Sequence, residues 1–101
     1  MSRNLYVDDC RTCPEGWDLA RNYDEAIAML ETRQYDLVSL DHDIASYRAD
    51  GREMTGYDIA LWMAAEKNEG RRVPEMVLCH SQNAPGKRNI LSVVDRYLQP
   101  D

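Results

Sequence analysis

The chain has 101 residues, of which 44% are hydrophobic and 30% charged, as expected for one soluble globular domain over residues 1–101. Its net charge of −6 argues against a broad nucleic-acid groove, which needs a basic surface. No apolar stretch has the length needed to cross a bilayer, and no secretion signal pattern is present. We therefore expect a cytoplasmic protein without a membrane partner.

The first half of the chain predicts the order strand, strand, helix, strand. Residues 4–8 form a short apolar run typical of a buried parallel strand, and residues 17–21 give a weaker strand signal. The link between them is too short for a crossover helix, so both a parallel and an antiparallel pairing stay open. A capping-box pattern at Asn22 predicts a helix to about Arg33, followed by a strand over residues 36–40.

The second half predicts helix, strand, helix after a long connection. Residues 44–54 are polar and long for a connection in a small domain, which is typical of a lid or a binding loop. Thr55 predicts the start of the next helix and Gly70 its end, and residues 75–79 predict the fourth strand. The last helix begins near Pro85, and its predicted buried stripe consists of Ile90, Val93, Val94, Tyr97 and Leu98. Strands that alternate with helices in this way predict a layered α/β fold with right-handed parallel crossovers.

Carboxylates follow two of the predicted strands. Asp8 and Asp9 close the first apolar run, and Asp41 and Asp43 close the third. Ligands of open parallel sheets bind at the carboxyl ends of the strands, and four ionised carboxylates at one edge repel each other. A divalent cation bound by these four residues, Mg²⁺ or Mn²⁺, would relieve the repulsion. The alternative is that some of them cap turns and the rest are solvated.

Both histidines of the chain also fall at predicted strand ends. His42 follows the third strand and His80 the fourth. Two imidazoles at one edge suit general acid–base catalysis on a phosphate ester, with one activating water and the other protonating the leaving oxygen. We assign the leading role to His80, an assisting role to His42, and orientation of water or a metal ion to Asp41. The alternative is a structural hydrogen bond for His42.

A candidate phosphate site precedes the last helix. Helix N-termini present free N–H groups and the positive end of the helix dipole. The segment offers Ser81 and Asn83 as polar side chains, Gly86 for close backbone approach and Lys87 for charge. Arg11 follows the first acidic pair and can bind Asp9 or a phosphate. Simple capping of the helix by Asn83 is an equally good interpretation, and both can hold at once.

With these positions placed, the chain resembles a receiver domain, the phosphoacceptor domain of response regulators. Asp8-Asp9 matches its first acidic pair, Asp41 its phosphoacceptor, and Thr55-Gly56 the turn that follows. The first helix and the fifth strand with its lysine–proline pair have no counterpart here. The resemblance implies a three-layer, receiver-like (flavodoxin-like) α/β domain with a truncated, mainly parallel sheet of about four strands.

A closer resemblance, over nearly the whole chain, is to the cyclic-phosphate processing receiver domains. Five blocks agree in order: Asp8-Asp9-Cys10-Arg11, Pro14-Glu15-Gly16-Trp17, Ser39-Leu40-Asp41-His42-Asp43, Thr55-Gly56-Tyr57-Asp58 and His80-Ser81-x-Asn83-x-x-Gly86. The resemblance implies a phosphoesterase that acts on cyclic or terminal phosphates of nucleotides or RNA.

Two other functions use the same residues. One is a non-catalytic module that binds a nucleotide or a protein partner through the same edge. The other is a degenerate receiver that accepts a phosphoryl group on Asp41, which the missing lysine disfavours.

Overall fold

The computed structural model describes residues 3–99. The strands are β1 (Asn4–Val7), β2 (Asp18–Ala20), β3 (Leu37–Leu40), β4 (Ser46–Tyr47), β5 (Glu53–Met54) and β6 (Met76–Cys79). The helices are α1 (Tyr23–Thr32), α2 (Gly56–Asn68) and α3 (Ala84–Tyr97). Within the described part of the chain, no helix has the length and apolar character needed to cross a membrane.

Four strands form one parallel sheet in the order β2-β1-β3-β6. Tyr6 pairs with Leu19 on one side and with Ser39 on the other, and Ser39 pairs with Leu78. This parallel α/β sheet confirms the receiver-like fold that the sequence predicts. It also settles the pairing of β2, which is parallel to β1 although the link between them contains no helix.

The hydrophobic core lies on one face of this sheet. Leu5, Val38 and Val77 point into it, whereas the large apolar side chains of Met76 and Leu78 on the other face are 54% and 42% exposed. The three helices lie side by side, because α2 contacts both α1 and α3. The two helical crossovers, through α1 and α2, run in the same direction across the sheet, and right-handed crossovers of one direction place their helices on one face. Residues 3–99 therefore form two layers, and the predicted third layer was wrong because all three helices of these residues lie on one face of the sheet.

Residues 44–54, for which the sequence predicts a long loop, contain the hairpin of β4 and β5. Its base is fixed to the body of the domain, since Ile44, Ser46 and Met54 are buried. The Ser46 hydroxyl accepts a hydrogen bond of 3.2 Å from the backbone N–H of Tyr23 at the start of α1. The sequence did not predict this hairpin because two-residue strands are too short to show an alternating pattern.

The other predicted elements lie within one or two residues of the observed ones. Tyr97 is an exception to the predicted buried stripe, since it is 51% exposed. It ends α3, and its ring packs beside the guanidinium of Arg96, 5.5 Å from the ring centroid. Leu98, the other residue of the stripe at this end, is buried as predicted.

Candidate functional site

The carboxyl edge of the sheet gathers the predicted polar residues in two clusters. Side chains alternate between the faces of a sheet along each strand. Asp8, Asp41 and His80 meet on the uncovered face, where one ligand atom from each lies within 4.8 Å of the others. His42 points the other way, against Gly86 at the start of α3. Both imidazoles therefore lie at the predicted edge, on opposite faces of the sheet.

Asp8 is the centre of the first cluster and is fully buried. One carboxylate oxygen accepts hydrogen bonds of 2.9 Å from the backbone N–H groups of Cys10 and Arg11, and the other lies 3.0 Å from His80 Nε2. Burial alone would raise the pKa of Asp8, but these hydrogen bonds outweigh it and hold the pKa below its usual value. Asp8 is therefore ionised at neutral pH.

His80 uses both of its ring nitrogens within the protein. Nε2 contacts Asp8, and Nδ1 lies 2.7 Å from the hydroxyl oxygen of Ser39. The imidazole stacks on the ring of Tyr6 with a centroid distance of 4.2 Å and an angle of 8°. The side chain is only 17% exposed. His80 is thus held in one orientation by three neighbours.

His42 is the centre of the second cluster. Its Nδ1 lies 2.9 Å from a carboxylate oxygen of Asp43, whose other oxygen accepts a hydrogen bond of 3.1 Å from the Asn83 side-chain amide. The bonds from His42 and Asn83 lower the pKa of Asp43. Among residues 3–99, nothing hydrogen-bonds to His42 Nε2, and no buried side-chain nitrogen or oxygen lacks a partner. Nε2 is therefore accessible to solvent, although the side chain is only 18% exposed.

The start of α3 uses most of its own hydrogen-bond donors. The Asn83 side-chain oxygen accepts from the Gly86 N–H at 3.0 Å, and the Ser81 hydroxyl accepts from the Asn83 N–H at 3.1 Å. Pro85 has no N–H, and the N–H of Lys87 bonds to the Asn83 carbonyl. The structure thus shows the capping role of Asn83. Phosphate binding by Ser81, Asn83, Gly86 and the exposed Lys87 stays a prediction.

Arg11 contacts Asp8 instead of the predicted Asp9. Its Nε lies 3.8 Å from the Asp8 carboxylate, and its Nη1 donates a hydrogen bond of 2.9 Å to the His80 carbonyl. Asp9 is exposed to solvent. Arg11 therefore supplies part of the positive charge for which the sequence suggested a metal ion.

The four predicted metal-binding carboxylates do not form one group. Within the described residues, potential ligand atoms converge in two sets, Asp8 with Asp9 and Cys10, and Asp8 with Asp41 and His80. Asp43 is in neither set. The residue types of the second set fit a divalent cation, because oxygen ligands suit Mg²⁺ and imidazole is acceptable to Mn²⁺.

Residues 3–96 match the family model of the cyclic-phosphate processing receiver domain. The chain belongs to this family. No curated protein and no solved structure matches the chain. The family assignment confirms the resemblance seen in the sequence motifs.

In this cyclic-phosphate processing receiver domain, sequence reasoning missed the contacts that Tyr6 and Ser39 make with His80. Both residues lie inside predicted strands rather than at their ends. The available signal was Ser39 itself, because a hydroxyl in an apolar buried strand needs a hydrogen-bond partner. Its partner, which is 41 residues away in sequence, becomes visible only once β3 and β6 are paired.

Proposed function

We propose that this chain is a phosphoesterase that opens cyclic phosphates, or removes terminal phosphates, of nucleotides or RNA. The observation that carries the proposal is the pair of His42 and Asp43, which leaves one imidazole nitrogen facing solvent. His42 follows β3 at the same edge of the sheet as Asp8, Asp41 and His80, on the opposite face. Membership in a cyclic-phosphate processing family supports a phosphate-bearing substrate.

His42 is the general base of the proposed reaction. Ionised Asp43 only accepts hydrogen bonds, so the Nδ1 of His42 carries the proton in their 2.9 Å contact. The lone pair of a neutral ring is then on Nε2, the nitrogen that faces solvent. From there it takes a proton from the attacking water. The sequence favoured His80 for the leading role, and the hydrogen bonding favours His42 as the base.

His80 is the general acid of the proposed reaction. The water oxygen bonds to phosphorus, the bond from phosphorus to one ribose oxygen breaks, and that oxygen leaves as a hydroxyl. We assign its proton to Nε2 of the doubly protonated His80 ring. The contact with Asp8 at 3.0 Å occupies this N–H without substrate, and catalytic hydrogen bonds of ligand-free enzymes rearrange when substrate binds.

The charged groups around this pair would bind the phosphate. Arg11 is partly exposed beside Asp8, and Lys87 is exposed at the start of α3. A bound Mg²⁺ or Mn²⁺ would neutralise charge on the phosphate oxygens, and Asp8 and Asp41 would hold it. In the described residues the Asp41 side chain makes no hydrogen bond, so it is free to bind a cation.

The test measures hydrolysis of 2′,3′-cyclic nucleotides by phosphorus NMR, with and without Mg²⁺. We expect His42→Ala and His80→Ala each to lower kcat by about 10²–10⁴-fold, the usual contribution of general acid–base catalysis. Asp95→Asn, an exposed change on α3, is the control and should keep full activity. Undiminished turnover in both histidine variants would refute the mechanism.

The metal proposal has a separate test. Calorimetric titration of the protein with Mn²⁺ should give a binding signal that Asp41→Asn abolishes. Asp43→Asn is the matched control, because Asp43 lies outside both convergent sets. Equal Mn²⁺ binding by the two variants would rule out Asp41 as a ligand.

A second candidate function is phosphoryl transfer to Asp41. The favouring observation is the position of Asp41, which follows β3 at the carboxyl edge and is partly accessible to solvent. Labelling by acetyl phosphate that Asp41→Asn abolishes would support a phosphoacceptor. Tight binding of a cyclic nucleotide without turnover or labelling would instead indicate a binding module.

A further inference from the structure

The ring of His80 reaches across one strand of the sheet. His80 follows β6, yet its imidazole stacks on Tyr6 in β1. Strand β3 lies between β1 and β6, and its residue in the row of Tyr6 is Ser39. Because Ser39 is small, the ring can lie over β3 and reach both Tyr6 and Asp8. A long or aromatic side chain at this position would stand in that space.

Together with Asp8, the hydroxyl of Ser39 determines which nitrogen of His80 carries a proton. Asp8 is ionised and can only accept, so the Nε2 of His80 holds a hydrogen in their 3.0 Å contact. In a neutral ring the Nδ1 then has a lone pair, and the Ser39 hydroxyl, 2.7 Å away, donates to it. A methyl group at the same place would leave Nδ1 without this donor. The buried position of Ser39 limits replacement by water.

We propose that Ser39 is a positioning residue that keeps His80 over β3 with the proton on Nε2. Its catalytic meaning rests on the proposed function, in which the doubly protonated ring gives the Nε2 proton to the leaving oxygen while its Nδ1–H donates to the Ser39 hydroxyl. The proton position itself is a property of the free protein. The two ideas can therefore fail separately.

The test is nitrogen NMR of the imidazoles in ¹⁵N-labelled, metal-free protein, recorded at a pH at which the spectra show both rings to be neutral. The chain has two histidines, so His42→Gln assigns both spectra. We expect the Nε2–H form for His80, and the Nδ1–H form for His42 because of Asp43. A His80 ring with its single proton on Nδ1 in the wild-type protein would overturn the proposal.

Substitutions of Ser39 distinguish the effect of its hydroxyl group from the effect of its small size. Ser39→Thr and Ser39→Val have the same shape, and only threonine keeps the hydroxyl. We expect His80 to keep the Nε2–H form in Ser39→Thr and to show a mixture of both forms in Ser39→Val. Ser39→Ala keeps the space and should show the same mixture. Identical His80 spectra in Ser39→Ala and the wild type would contradict a role for the hydroxyl.

Kinetics connect this position to the proposed reaction. We expect Ser39→Ala to lower kcat about tenfold with little change in KM, as a loss confined to the transition state does. Ser39→Thr should restore activity relative to Ser39→Val. If the wild-type protein shows the expected proton positions without turning over cyclic nucleotides, the proposed function fails and the positioning role stands. Equal turnover by the wild type and all Ser39 variants would show that Ser39 has no role in the reaction.

Discussion

Two carboxylates of the candidate site, Asp8 and Asp43, are compensated by hydrogen-bond donors close by in the chain or across the sheet. The Asp8 carboxylate receives two backbone N–H groups from the turn after β1, and Asp43 receives His42 and Asn83. Hydrogen bonds to charged groups contribute more than neutral ones. The site therefore holds ionised carboxylates without depending on a metal ion for its fold.

The lowered pKa of Asp8 predicts a specific loss of stability in acid. A carboxyl whose pKa is lower in the folded than in the unfolded state stabilises the fold above the unfolded value, here 3.8, and this contribution disappears as the pH falls through the folded pKa. We expect the free energy of unfolding of Asp8→Asn to fall less steeply than that of the wild type between pH 5 and pH 3. Urea unfolding at several pH values measures both curves. Parallel curves would show that the ionisation of Asp8 is not coupled to folding.

We expect Gly86→Ala to destabilise the protein, although alanine has the higher helix propensity. A Cβ at this position would lie 2.4 Å from His42 Cγ, so Gly86→Ala must displace the imidazole. Alanine favours a helix by about 1 kcal/mol over glycine, yet we expect a net destabilisation of about 1–3 kcal/mol from overpacking. Denaturant unfolding measures it, and the NMR signals of His42 should shift. A more stable variant would mean that the ring moves away freely.

Among the elements, the hairpin of β4 and β5 is held by α1. Arg48 in the turn of the hairpin pairs with Asp24 at 3.0 Å and lies 4.8 Å from the ring centroid of Tyr23. Ser46 binds the backbone N–H of Tyr23. The segment is therefore part of the folded body, which a loop of this polarity does not suggest from its sequence.

Ser46→Ala tests this attachment. Loss of the hydroxyl leaves the first N–H of α1 without its acceptor. We therefore expect the free energy of unfolding to fall by about 1 kcal/mol. Hydrogen exchange should become faster in residues 44–54 and at the start of α1. Ser92→Ala, an exposed serine on α3, is the control and should change neither. Unchanged exchange in the hairpin of Ser46→Ala would contradict its attachment through this bond.

Elements with an apolar run or an explicit cap were predictable, and the two-residue strands of the hairpin were not. Asn22 caps α1 as its spacing to Glu25 predicts, at 2.9 Å from the Glu25 N–H. Asn83 likewise caps α3. The hairpin has two residues in each strand, and its pairing depends on burial against α1 rather than on any local signal.

At the scale of the whole molecule, the core lies on one face of the sheet, which predicts unequal effects of the same substitution. Leu5 in β1 is fully buried, whereas Leu78 in β6 is 42% exposed on the other face. We expect Leu5→Ala to lower the free energy of unfolding by about 2–5 kcal/mol, as for other buried leucines. Leu78→Ala should cost about 1 kcal/mol or less, by partial loss of apolar burial. Equal losses in denaturant unfolding would mean that something covers the second face in solution.

The sequence predicted where the site lies but not its internal pairing. Asp8, Asp41 and both histidines follow strands of a parallel sheet, and this alone brings them to one edge. The partners of Arg11 and His80 depend on the strand order, since β1 neighbours β3 and β3 neighbours β6. Which residues lie on which face of the sheet also could not be predicted without the observed strand register.

That register makes the sequence spacing at the end of β3 critical. Asp41 and His42 are consecutive, yet one meets Asp8 on the open face and the other meets Gly86 on the helix side. Inserting a single residue between Leu40 and Asp41 would exchange their directions, because the pleat repeats every two residues. Every side chain would still be present, but the carboxylate would face α3 and the imidazole would face Asp8. Which side chains meet on each face of this edge thus depends on the odd or even spacing of the residues as much as on which residues are present.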